Sequence, residues 1–219
     1  YGIILAYGGD DYCPGFALML DRTGQSSSTF DLVAQLSTTN PNPTRRAGHD
    51  KYVVTHQVAR NAVTAGQWTH VAVTWSTHQD EVRLFKNGEY LGTEASAIDR
   101  ASRKFSLPIG PWKTLKDCGV HLTIGGGWKQ QHFYGQMAEV RVWAQSRTDW
   151  QLRRDMCTRK VVDEPSLLAA WPLCDQSRPN PGADTRNSMW QNTVAFDRSG
   201  NRNHGMLHSC GSPLSDRMV

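Results

Sequence analysis

Apolar residues along this chain gather in short runs, near-continuous in some and alternating with polar residues in others, and the runs stop at clusters of glycine, proline and asparagine. "GIILAY" (2–7), "FALMLD" (16–21), "FDLVAQLST" (30–38) and "YVVTHQV" (52–58) are the first four. Each reads as a strand, because successive side chains of an extended backbone point to opposite faces. The loops between them, "GGDDYCPG" (8–15) and "TTNPNPTRRAGHD" (38–50), carry the residues that end strands and tolerate turns. The stretch "WTHVAVTWSTHQDEVRLFKNGEYLG" (68–92) repeats the pattern three times over. Val71, Val73 and Trp75 share one face of its first strand, with Trp68, His70, Ala72 and Thr74 on the other. "EVRLF" is the second strand, and Asn87-Gly88 supplies the positive backbone angles of a tight hairpin turn into "EYLG". A three-stranded antiparallel meander is predicted.

"GVHLTIGGG" (119–127) and "YGQMAEVRVWAQ" (134–145) continue the strand period, with Ala138, Val140 and Val142 on one side of the second and Glu139, Arg141 and Trp143 on the other. Glu139 and Arg141, two positions apart on that face, are expected to form a local ion pair. At "RTDWQLRRDMCTRK" (147–160) the period changes to that of a helix, with Thr148 as N-cap and Gln151 as its capping-box partner. Beyond it, "SLLAAWPLCD" (166–175) is strand-like, "QSRPNPGADTRNSMWQN" (176–192) is a long polar loop, and "VAFDRSGNRNHGMLHS" (194–209) holds a turn and a last short strand.

Composition sharpens the class. Only 38% of the 219 residues are hydrophobic and eight tryptophans are spread along the chain, which suits many short strands rather than long helices. The formal charge of +4 comes from interspersed signs, so pairs such as Arg45-Arg46 and Arg153-Arg154 read as solvated faces, and no nucleic-acid partner is expected. The five cysteines, Cys13, Cys118, Cys157, Cys174 and Cys210, have neither zinc-site spacing nor the density of a disulfide scaffold, leaving the redox compartment open. No apolar run reaches the length of a membrane span, so direct membrane insertion is not expected. Asn-X-Ser/Thr acceptor sites are absent. The chain opens at Tyr1 in a strand-like run without a methionine or signal peptide, the expectation for a processed or truncated piece.

The ordered motifs "GQWTHVAVTWSTHQDEVRLFKNGEYLG", "LTIGGG" and "YGQMAEVRVWAQSRT" resemble the central signature of laminin G-like and pentraxin-like domains of the concanavalin A-like lectin/glucanase superfamily. "DEPSLLAAWPLCD" and "FDRSGNRNHGML" resemble segments that trail or link such domains, and the likeness runs from Tyr1 to Leu207. The resemblance implies an all-β jelly-roll sandwich of two curved antiparallel sheets with one short helix near residues 148–158. The expected organisation is a sandwich over residues 1–160 and a tail over 161–219 packed on the same domain. Family members carry an extra strand pair before the equivalent of "GIILAYGG". Here the tail strands around Leu168–Leu173 and Gly205–His208 are expected to close the sheet instead, because an unpaired edge invites aggregation.

Calcium is the cofactor the resemblance implies, and it wants six to eight oxygen ligands. Where the pentraxin pattern has a Glu, Gln and Asp cluster, this chain has "GGWKQQHF", a lysine and no acid. Asp10 and Asp11 in the first loop are the remaining calcium candidates, with Asp117 a distant third and simple turn residues the competing reading. Sugar recognition would need an aromatic platform with polar side chains beside it. Trp112, Trp128 with His132 and Tyr134, and Trp190 lie in predicted loops and are the ligand-binding candidates, while Trp68, Trp75, Trp143 and Trp171 on strands are assigned to the core. His49, His56, His70, His78 and His121 are scattered and receive no metal.

The glucanase "E-x-D-x-x-E" pattern is absent, and "LFKNGEYLG" only echoes the "Y-x-K-x-G-x-Y-x-Q" strand of alginate lyases. The expectation is therefore a non-catalytic recognition or adhesion module for a glycan or protein surface, extracellular or at the cell surface and part of a larger protein. A structural interface domain within an assembly is the alternative, and a polysaccharide lyase or hydrolase the third.

Overall fold

The computed structural model describes residues 2–7, 15–22, 28–39, 52–76, 81–92, 94–95, 121–126, 132–158, 164–173 and 194–206. The chain divides into two compact units, residues 1–135 with 146–157, and residues 136–145 with 158–219. It is all-β, built from antiparallel sheets, with one short helix among the described residues.

The first unit holds a six-stranded sheet and a three-stranded sheet. Strands β1 (Gly2–Tyr7), β2 (Gly15–Asp21), β3 (Thr29–Thr39) and β4 (Tyr52–Thr64) form a continuous antiparallel meander, flanked at the two edges by β9 (Thr123–Ile124) and β8 (Glu94–Ala95). Strands β5 (Val71–Ser76), β6 (Glu81–Lys86) and β7 (Glu89–Leu91) form the second sheet, the predicted meander. Leu18, Leu32, Ala34, Leu36, Ala59 and Ala62 from the larger sheet meet Val82 and Leu84 of β6, and Val71, Val73, Trp75 and Leu91 complete this layer. Two apolar faces packed on one another in this way define a sandwich. Burial of an aliphatic side chain such as Leu32, which is fully enclosed, stabilises such a core by about 2 kcal/mol.

Alternation on β2 and β3 leaves Ala17, Met19 and Val33 on the other face of the larger sheet, where they pack with Ile3 and Ala6 and are also buried. Both faces are therefore dry, which explains why these strands read as near-continuous apolar runs. A bulge breaks the β3–β4 register between Phe30 and Leu32. Asp31, buried beside it, accepts the Asn61 N–H at 2.7 Å and the Arg60 guanidinium at 3.0 Å, and Asn61 sits at a φ of 50°. Three residues of β4, 60–62, stand opposite Asp31 alone, and the carboxylate pins two of them.

The helix, α1 (Asp149–Met156), begins as predicted: the Gln151 N–H donates to the Thr148 hydroxyl oxygen, and the Thr148 N–H donates to the Gln151 side chain. It meets the β6–β7 hairpin through Arg153, whose Nε donates to the Gly88 carbonyl at 3.0 Å. Arg147 and Arg154 both bond the Asp155 carboxylate on the helix's inner side.

The second unit contains two ladders. β10 (Val140–Trp143) pairs antiparallel with β11 (Leu167–Trp171), and β12 (Val194–Ala195) with β13 (Gly205–Met206). Among the described residues the tail strands pair with β10 and with one another, and the six-stranded sheet ends at β8 and β9. The β10–β11 ladder runs from Val140–Trp171 to Trp143–Leu167, with a register shift between Val142 and Trp143. Glu139 and Arg141 form the expected ion pair at 3.1 Å.

Trp68 departs from expectation. It lies before β5 rather than in it and is 70% exposed, whereas Trp75 packs on the core and Trp171 is buried. Glycine at position 66, with a φ of 75°, turns the chain out of β4, so the alternation that begins at Val71 does not reach back to residue 68.

Candidate functional site

The edge of the six-stranded sheet at β9 carries two of the predicted ligand-binding residues, His132 and Tyr134. The Gly125 N–H donates to the Ile4 carbonyl at 2.9 Å and the Phe133 N–H to the Gly125 carbonyl at 3.0 Å, so segment 132–134 is folded back on the end of β9. Phe133 is the anchor. Its backbone lies 3.5 Å from where a Cβ on Gly2 would stand, and its ring lies 2.7 Å from a Cβ placed on Gly135. A Cβ at 135 would require that ring to shift. Phe133 is half-buried, while the next residue, Tyr134, is 91% exposed. His132 is half-buried, with Nδ1 3.2 Å from the Cβ position of Gly126. This edge thus presents a phenol ring in water with an imidazole two residues away, able to stack on an apolar face and hydrogen-bond at its rim.

Trp112, Trp128, Trp190, Asp10, Asp11 and Asp117 lie outside the described residues. Among the described residues no group of three His, Cys, Asp or Glu side chains could hold a metal ion, and no helix is long and apolar enough to cross a membrane.

A second polar cluster, which the sequence reading treated only as a turn, sits in the other unit. The buried Asp197 carboxylate accepts from the backbone N–H groups of Ala170 at 2.8 Å, Ser199 at 2.8 Å and Asn203 at 2.9 Å, and from the Ser199 hydroxyl at 2.8 Å. Burial by itself pushes this carboxyl up, but the donors from Ala170, Ser199 and Asn203 outweigh it and hold Asp197 below the usual carboxylate range. Asn201 and Asn203 donate their side-chain amides to the Leu168 carbonyl, and the Trp171 indole donates to the Asn203 carbonyl at 2.9 Å. The signal in the sequence was "DRSGNRNHG": an aspartate followed by Ser-Gly and two asparagines is an Asx-turn composition.

Asp197, Ser199 and His204 are the residue types of a nucleophilic triad, but their geometry is a different one. The Ser199 hydroxyl is directed to the carboxylate and to the Leu168 carbonyl, and His204 Nδ1 accepts the Asp197 backbone N–H at 3.0 Å. A triad needs the imidazole to take the hydroxyl proton and the acid to hold the imidazole. Here the acid holds the hydroxyl and backbone, a structural knot tying the β12–β13 turn to β11.

Comparison with known proteins agrees with this architecture. A family profile described as the concanavalin A-like lectin/glucanases superfamily, of laminin G type, matches residues 17–153. Human (Homo sapiens) Neuronal pentraxin-2 is 30% identical over 88 residues, covering 37% of this chain and 18% of that protein. Its Mus musculus counterpart is 28% identical over the same shares. Mus musculus Pentraxin-related protein PTX3 is 25% identical over 96 residues, 43% of this chain and 24% of that protein. The aligned segments span less than a quarter of these relatives' length.

Proposed function

This chain belongs to the concanavalin A-like lectin/glucanases superfamily, and from that premise we propose that it is a non-catalytic recognition module, binding a glycan or a protein surface from the β9 edge. The observation that carries this reading is Tyr134, 91% exposed on a segment fixed by Phe133. An exposed phenol ring at a sheet edge suits stacking on a sugar ring or a partner's apolar surface. We place His132 beside it as a hydrogen-bonding partner and Trp128, with Trp112 and Trp190, as further aromatic candidates. Calcium at Asp10 and Asp11 is part of the proposal only as an added factor to be tested.

The setting is an extracellular or cell-surface one within a larger protein or assembly, supported by the likeness to pentraxins. The sandwich over 1–160 and the tail over 161–219 are proposed to act together as one functional module. A structural interface role is the second reading, favoured by Trp150, which is 66% exposed on α1. The deciding experiment is a glycan array with and without calcium, run with the wild type and with Tyr134→Ala. Hits that vanish with the substitution support the recognition reading. An array empty under both conditions, together with a large complex on size exclusion of the native source, moves the reading to the interface role.

A further inference from the structure

Asn-Gly pairs are the sequence most prone to spontaneous deamidation, because glycine leaves its own backbone nitrogen open to attack the preceding side chain. Asn87-Gly88 is such a pair, and it forms the two-residue turn between β6 and β7, with φ angles of 50° and 76°. This turn is held from three sides. The Asn87 side-chain oxygen accepts the His70 N–H at 3.0 Å, and the Asn87 N–H donates to the His70 carbonyl at 2.9 Å. The Gly88 carbonyl accepts from Arg153 Nε at 3.0 Å. The stem of Arg153 lies directly on Gly88, with Cγ 2.5 Å and Cα 3.1 Å from where a Cβ would stand. Gly88 is consequently buried while Asn87 and Glu89 on either side are exposed.

We propose that Asn87 is a gated deamidation site, closed while α1 covers the hairpin and opened when Arg153 leaves Gly88. The reaction requires the Gly88 nitrogen to lose its proton to base and bond to the Asn87 side-chain carbonyl carbon. The bond from that carbon to Nδ2 breaks and ammonia leaves with the proton. Water then opens the succinimide ring at either carbonyl, leaving aspartate or isoaspartate at position 87. Ring closure demands rotation about the Asn87 Cα–C bond and release of its side-chain oxygen, movements that the His70 bonds and the Arg153 stem oppose. Once formed, isoaspartate carries an extra methylene in the main chain of a two-residue turn, so the hairpin no longer offers Arg153 the same carbonyl. The opening becomes irreversible, and the helix contact is lost with it.

The experiment is peptide mapping by mass spectrometry for aspartate and isoaspartate at position 87 after incubation at mildly alkaline pH. Wild type in buffer, wild type unfolded in urea, and Arg153→Ala in buffer are compared, with hydrogen exchange at the His70 and Asn87 amides measured alongside. Conversion in the folded wild type is expected to be slower than in the unfolded chain by on the order of tenfold or more, the ratio set by the free energy of local opening. Arg153→Ala, with its near-ultraviolet circular dichroism retained, should recover much of that rate and lose protection at both amides. Equal conversion in folded and unfolded wild type overturns the gate, whatever the variant does. A folded Arg153→Ala that converts at the wild-type rate removes the helix from it.

Discussion

The Asp197 carboxylate accepts the backbone N–H of Ala170 at 2.8 Å, across 27 positions of sequence. That bond ties the turn after β12 to the middle of β11, and three further donors converge on the same two oxygens. Asp197→Ala would leave buried donors without an acceptor, at a cost of about 3 kcal/mol or more. Asp197→Asn keeps the shape but presents an NH2 group to donors, so it is expected to recover only part of that loss. Denaturant unfolding of both variants against wild type checks the order, and an asparagine variant as stable as wild type would show that the charge is dispensable.

Acid should loosen both units through the same physics. Asp197 and Asp155 are each pushed up by burial, the largest single influence, and held below the usual range by the combined effect of the backbone and Ser199 donors in the first case and of Arg154 with Arg147 in the second. A carboxyl whose folded value is depressed stabilises the fold fully above its unfolded value of about 4 and loses that contribution as pH falls through the lower folded value. Thermal unfolding should therefore be flat from neutral pH down to the ordinary carboxylate range and fall below it. Replacing Asp197 with asparagine should flatten the acid limb.

The helix start is held by Thr148 and Gln151 bonding one another's backbone. Thr148→Ala should cost about 1 kcal/mol, and Gln151→Ala less, since it removes only the reciprocal half of the box. Chemical denaturation of the two single variants and the double variant would measure their coupling, which should be clearly non-zero.

Two tryptophans seven residues apart should behave oppositely. Trp75 meets Phe16 edge-on at 5.0 Å on the sandwich core, so Trp75→Ala is expected to cost about 3 kcal/mol or more. Trp68, at 70% exposure, should change stability by less than about 0.5 kcal/mol when truncated. Equal effects on the denaturation midpoint would contradict the placement of Trp68 outside β5.

At the β9 edge, Tyr134→Ala should abolish ligand capture with no shift in melting temperature, because the ring touches little of the fold. Gly135→Ala should do the reverse in origin: a Cβ 2.7 Å from the Phe133 ring displaces the anchor and lowers stability along with binding. Parallel melting curves and array signals separate the two effects.

Local pattern was enough for much of this protein. Alternation at Val71, Val73 and Trp75 found the core face of β5, the Asn87-Gly88 pair found the hairpin, and Thr148 with Gln151 found the helix start, because each depends on residues within a few positions of one another. The same locality failed at Trp68, where the alternation was extended past the turn at Gly66. Nor does locality tell which strand β11 pairs with; the ladder with β10 joins residues more than twenty positions apart.

Of the candidate site, sequence marked His132 and Tyr134 as loop residues, but could not tell that Phe133 lies against Gly2 and Gly135 while Tyr134 stands in water. Nor could it show that one aspartate gathers donors from Ala170, Ser199 and Asn203. Residue types and periods are properties of neighbours in the chain, and they determined the strands, the hairpin, the cap and the family. Which edge carries the ring, which carboxylate is buried and which arginine lies on Gly88 depend on contacts between residues far apart in sequence. Those contacts exist only once the tertiary structure has chosen its pairings.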